Sequence, residues 1–148
     1  MRYFLDAEFN GFGGELISLA LVPEQDGLPP FYEAIRCDAP TEWVAQNVMP
    51  VLETRPLTRE EVADRFFHYL TDDPDPLLVA DWPEDISHAA LLLVTGPGRM
   101  NPIRSIRFEL VDPNIFGFGI SAEFPHNAYH DARTLRDAVL GYERRMAG

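Results

Sequence analysis

The chain is 148 residues long, 46% hydrophobic and 24% charged, with 12 basic against 24 acidic residues and a formal net charge of −12. This composition supplies a core for one domain and excludes a disordered chain, while the acidity excludes a long surface wrapped around a polyanion, which Lys and Arg would have to supply. No apolar run approaches the roughly 18 residues of a membrane span, Asp6 interrupts the N-terminal apolar stretch before it reads as a secretion signal, and Cys37 is the single cysteine, so a cytoplasmic protein is expected.

Arg2 to Phe9 is short and β-prone, and the glycine-dense Gly11-Phe12-Gly13-Gly14 that follows is a turn signal. Glu15 to Val22 reads as a second, largely buried strand, Gln25-Asp26-Gly27 as a turn and Phe31 to Arg36 as a third strand. Three strands joined by tight turns predict an antiparallel meander. Thr41 precedes Glu42-Trp43-Val44 as an N-cap. Thr58-Arg59-Glu60-Glu61 has capping-box spacing, with Val62, Phe66, Tyr69 and Leu70 recurring at helical intervals until Asp72-Asp73-Pro74-Asp75-Pro76 breaks the helix. Leu77 to Ala80 is a buried-strand run ending at Asp81. Pro83-Glu84-Asp85 then starts a helix to about Leu93, with Gly96-Pro97-Gly98 as its stop. Arg104 to Val111 alternates only in part and fits a strand or a helix. Asp131 to about Met146 is helical, with Leu135, Ala138, Val139 and Tyr142 on one stripe. This order predicts an α/β layered domain with a mixed sheet, residues 1–148 forming one unit without repeat, linker or low-complexity tail.

Several acidic residues fall at element ends. Asp6 and Glu8, two apart on a strand, point to one face. That face must lie at a rim or hold cations, because two adjacent carboxylates in an apolar core are very costly. Asp81 and Asp85 flank the turn from strand into helix, and Asp131 opens the last helix five residues after His126. Oxygen ligands of this kind suit Mg²⁺ or Mn²⁺. Taken singly, Asp85 and Asp131 are also residues that a helix N-terminus favours through its dipole. Their ordered combination with Asp6 and Glu8 is what points to a metal site.

Phe4-Leu5-Asp6-Ala7-Glu8-Phe9 resembles the first motif of the DEDD superfamily of 3′–5′ exonucleases. Val79-Ala80-Asp81-Trp82-Pro83-Glu84-Asp85-Ile86 is similar to the second, and His126-Asn127-Ala128-Tyr129-His130-Asp131-Ala132-Arg133-Thr134-Leu135 to the third in its histidine subtype, DEDDh. The resemblance runs from about Tyr3 to Ala138 and is nearest to short single-domain exoribonucleases of mycobacterial type. The second motif departs from the pattern: the family usually has an Asn-x-x-Phe stretch before its Asp, where this chain has Asp81-Trp82-Pro83-Glu84. Asp81 therefore competes with Asp85. Asp85 is favoured because Ile86, Ala89 and Ala90 continue it as a buried helix face.

The resemblance implies a ribonuclease-H-like mixed sheet, three antiparallel N-terminal strands plus parallel strands, flanked by helices. It implies that Asp6, Glu8, Asp85 and Asp131 hold two divalent ions about 4 Å apart. His126 would be the general base, histidine being well suited to exchanging a proton near neutral pH. The expected partner is the 3′ end of single-stranded RNA or a short oligonucleotide, the product a nucleoside 5′-monophosphate, and two bound ions would bring the formal charge from −12 to −8. Phe9 and Asn10 would lie near the terminal nucleotide. The sugar stays open, so a DNA exonuclease of mobile-element type is an alternative, as is a non-catalytic nucleic-acid-binding module of the same fold. A homodimer that completes the substrate cleft is a further expectation. His68 and His88 read as structural or solvated, and His130 as a less fitting base than His126 because the five-residue spacing to Asp131 belongs to His126. Trp43 and Trp82 read as core or rim packing with Trp82 the better candidate for a base platform, Cys37 as a small hydrophobe, and Arg104, Arg107 and Arg133 as balance for an acidic surface.

Overall fold

The computed structural model describes residues 1–116 and 125–148. Short β-prone apolar runs and glycine-bearing turns give the expected meander: β1 (Arg2–Phe9) pairs antiparallel with β2 (Leu16–Pro23), and β2 with β3 (Phe31–Ala34). A Cβ on Gly14 would stand 2.0 Å from the Asn10 carbonyl oxygen, so the turn between the first two strands admits only glycine there. The register slips at Glu8/Phe9, and the extra residue on β2, Ile17, packs with Val44 and Val48 of the next segment.

Helix α1 (Glu42–Asn47) starts at its Thr41 cap, and α2 (Arg59–Leu70) carries the complete Thr58–Glu61 capping box. β4 (Leu77–Ala80) runs parallel to β1, and α3 (Pro83–Leu91) follows at once. Where a glycine-proline stop is expected, the chain forms a small hairpin, β5 (Val94–Gly96) with β6 (Arg99–Met100). β7 (Arg107–Leu110) settles the ambiguous segment as a strand, pairing parallel with β4. Its side chains are largely exposed, so their hydropathy carried little signal and the backbone ladder alone defines it. The last helix, α4 (Ala128–Ala147), begins three residues before the expected start because Asn127 caps it.

The sheet order is β3-β2-β1-β4-β7, antiparallel on the β3–β2–β1 side and parallel across β1–β4–β7. Side chains of β1 alternate between two apolar layers. Tyr3, Leu5 and Ala7 join Phe66, Leu70 and Ala89 under α2 and α3, whereas Phe4 joins Val79, Leu135 and Val139 under α4. Asp6 and Glu8 share the Phe4 face. Among the described residues, no helix is long and apolar enough to cross a membrane.

Candidate metal centre

Parallel pairing sets the first half of the site. Phe4 lies opposite Val79, so Asp6, two residues further along β1, comes beside Asp81 at the end of β4. In open α/β sheets the carboxyl ends of parallel strands are where ligands gather. The Trp82 N-cap then turns the chain into α3, with Pro83 at its start and Asp85 in its first turn. Asp85 is only 2% exposed, although it belongs to the first turn of a surface helix.

Helix α4 supplies the other half. Asn127 is buried, and its Oδ1 accepts from the N–H groups of Tyr129 (3.0 Å) and His130 (3.2 Å). Its Nδ2 donates to the Val51 carbonyl oxygen at 2.7 Å. One side chain thus caps α4 and ties the helix start to the turn after α1. This brings Asp131 over the sheet. Asp131 Oδ2 accepts from the His126 backbone N–H at 3.1 Å, closing a loop in which His126 adopts a left-handed φ of 67°.

The four segments meet at Asp6. Carboxylate oxygens of Asp6, Asp81 and Asp85 lie within 4.8 Å of one another, and so do those of Asp6, Glu8 and Asp131. Asp6 belongs to both groups. Oδ2 of Asp6 and Oδ2 of Asp85 are buried with no hydrogen-bond partner among the described residues. Burial, then the charges of Asp85, Asp131, Glu8 and Asp81, hold the Asp6 carboxyl well above the ordinary carboxylate range. Burial and Asp131 push Glu8 up to about 8. Burial, Asp81 and Glu8 push Asp85 up to about 8. Burial also raises Asp81 and Asp131. Without cations such a cluster must hold protons; with them, the orphaned oxygens gain partners and the repulsion is offset. The donor set is all oxygen and anionic, which fits hard divalent cations.

The first group and Glu8 line a cleft of about 450 Å³ that opens between the glycine-rich turn, Trp43 and Trp82. Its lining contains no arginine among the described residues, so any affinity for an anion must come from bound cations or from outside the cleft. No family model matches the chain, and no curated protein matches it.

The five expected site residues, and Asp81 that competed with Asp85, come from three stretches of chain. Asp6, Glu8, Asp81, Asp85 and Asp131 supply carboxylates, and His126 stands at the rim, its ring edge-on to Trp43 at 4.9 Å. Asp81 and Asp85, offered by the sequence as rivals for one place, both lie beside Asp6. The remaining histidines have other surroundings: His130 Nε2 is 3.1 Å from Glu53, His68 lies beside Asp64, and His88 stacks on Phe9 at 5.0 Å. Arg107 pairs with Asp75 at 2.9 Å, away from the cleft. Cys37 packs beside the α1 cluster and its Sγ donates to Glu15.

Three features escaped the sequence reading. Phe12 is 99% exposed at the cleft mouth, beside Trp43 and Trp82, which the sequence set in the core or at the rim and which are each more than half exposed. An aromatic ring set between glycines in a turn cannot reach a core, which was the available signal for Phe12. Glu84 bridges the turn and α3, accepting from Gly13 N–H and from Trp82 Nε1–H, both at 3.3 Å. Asn127 looked like one member of a motif, and nothing local marks it as the anchor of α4.

Proposed function

We propose that this chain is a metal-dependent 3′–5′ exonuclease, acting by preference on single-stranded RNA, with the fold of the ribonuclease-H-like proteins. The observation that carries the reading is the pair of carboxylate triads sharing Asp6, built from strand ends and helix starts with buried, unpartnered oxygens. A cluster made for structure alone would bring arginines to these acids. The mixed sheet, with its antiparallel meander followed by parallel strands, supports the fold reading. The resemblance of the three motifs supplies the reaction.

Mg²⁺ or Mn²⁺ ions bound here would stabilise the attacking and leaving oxygens of an in-line displacement at phosphorus. Asp6 has two oxygens and can serve both triads. Glu8 and Asp131 complete one group and Asp85 belongs to the other, so the four hold the scissile phosphate's position relative to the sheet. His126, on its tight loop beside Asp131, accepts a proton from the attacking water. The P–O3′ bond breaks, the leaving 3′-oxygen stays with the shortened strand, and a nucleoside 5′-monophosphate departs. Phe12, Trp43 and Trp82 offer exposed ring faces to unstacked bases at the cleft mouth.

The test is incubation of 5′-labelled single-stranded RNA and DNA with Mg²⁺ or Mn²⁺. The expected result is a ladder shortening from the 3′ end of RNA, faster than of DNA, and lost by at least about a thousandfold in Asp6→Asn. Faster digestion of DNA would reassign the substrate. Binding without turnover under either metal would make the chain a non-catalytic module, and neither binding nor turnover would sink the proposal.

A further inference from the structure

We propose that Asp81 is a fifth carboxylate ligand, which with Asp6 and Asp85 directly holds the second of the two divalent cations. The inference rests on the functional reading above and adds a residue to it.

The placement of Asp81 is what a ligand requires. It follows the last residue of β4 and, by the parallel register, stands beside Asp6. Its oxygen, one of Asp6 and one of Asp85 all lie within 4.8 Å, close enough to converge on one ion. The independent observation comes from Asp85. Its side chain is 2% exposed, yet Oδ2 has no hydrogen-bond partner among the described residues and belongs to this same group. A buried polar oxygen left unpartnered is costly, more so when charged, and a cation would remove that cost.

The ordinary account of Asp81 fails. An aspartate just before a helix usually caps it, but Trp82 holds the N-cap position of α3 and no side chain bonds to the helix's free N–H groups there. Asp81 also lines the cleft that leads to Asp6 and Glu8, so its carboxylate faces the place where a phosphate would sit. With three carboxylates on the second ion, that ion is held by the protein before substrate arrives. With Asp6 and Asp85 alone, it would depend more on phosphate oxygens for its shell. The shortened segment Asp81-Trp82-Pro83-Glu84-Asp85 is what makes this possible: a four-residue step from strand end to first helical turn sets both acids over the same point.

The deciding experiment is calorimetric titration of the metal-free protein with Mn²⁺, without nucleic acid. Wild type is expected to bind two ions. Asp81→Asn, which keeps shape and removes charge, should weaken the second ion on the order of tenfold or more and leave the first unchanged. Glu8→Gln should weaken the other ion instead. Carbodiimide footprinting of wild type gives a reading that needs no variant: Mg²⁺ should protect Asp81 as it protects Asp131, while Glu84 stays reactive. Two ions bound equally well by wild type and Asp81→Asn, or Asp81 unprotected by Mg²⁺, would overturn the inference and leave the four-carboxylate reading standing. No ion bound by wild type would remove both.

Discussion

His126 joins a strained backbone to the proposed role of general base. A non-glycine residue at φ 67° is uncommon, and the conformation is held by its own N–H bonding Asp131 at 3.1 Å. Glycine at this position would keep the donor and accept the φ without strain. His126→Gly should therefore melt no lower than wild type and bind Mn²⁺ unchanged, while kcat falls about 10²–10⁴-fold. His126→Ala should lose the same activity and also some stability. Melting curves and single-turnover rates on labelled RNA check both; a kcat within a factor of two of wild type would remove His126 from the chemistry. At this scale the legible residues were the carboxylates and His126, whose charge and spacing are local properties. The partners of Asn127 and the exposure of Phe12 were not, because both depend on segments distant in the chain.

At the scale of elements, α4 shows how one cap positions a site. Its first turn packs Ala128 and Tyr129 on the sheet, and Asn127 fixes the start by bonding two helical N–H groups and the Val51 carbonyl oxygen. Asn127→Ala removes a cap and leaves buried polar groups unpaired, a loss of about 2–4 kcal/mol. Tm should fall by several degrees, and Mn²⁺ affinity should fall as Asp131 loses its fixed place. Asn127→Asp should restore the cap but not the bond to Val51, giving an intermediate Tm. Capping signals made α1 and α2 readable in advance, since those bonds lie within four residues. β7 and the β5–β6 hairpin were not readable, because exposed edge strands are defined by whichever neighbour they pair with. The start of α4 was placed three residues late for a related reason: its buried stripe of Ala128, Ala132, Leu135 and Val139 is made of small residues at its beginning, where hydropathy is weak.

For the molecule as a whole, five acids at one place make stability depend on pH in an unusual direction. Glu8 rises from an ordinary 4.5 to about 8, and Asp85 from 3.8 to about 8. Between those limits the folded chain binds more protons than the unfolded one, so stability falls as pH rises. Asp73, Asp75 and Glu143 are shifted down and act oppositely only near and below their ordinary values; His88, held down by burial, also acts oppositely up to its ordinary 6.5, against two acids raised over the whole window. The metal-free protein should thus have a higher Tm at pH 5.5 than at pH 8.5, measured by calorimetry in a chelating buffer. Adding Mg²⁺ or Mn²⁺ at pH 8.5 should recover the loss, about 2.7 kcal/mol when the ion is a hundredfold above its Kd. A Tm that rises from pH 5.5 to 8.5 without metal would contradict the clustered-acid account. Asp6→Asn should flatten the metal-free profile, because it removes the charge common to both triads.

The β-prone runs of β1 and β2, the capped helices and the three motif segments were all properties of neighbouring residues, so the layered α/β architecture and the candidate acids could be read from the order of residues alone. Asp6 and Glu8 announced a face that needed either water or cations, and nothing more. Which acids join them depended on the parallel register of β1 with β4, on the short step from β4 into α3, and on the Asn127 anchor of α4. Those are contacts between residues up to 76 positions apart. Spacing along the chain offered Asp81 and Asp85 as rivals; folding places both within reach of Asp6, because a strand end and a helix start converge there in space.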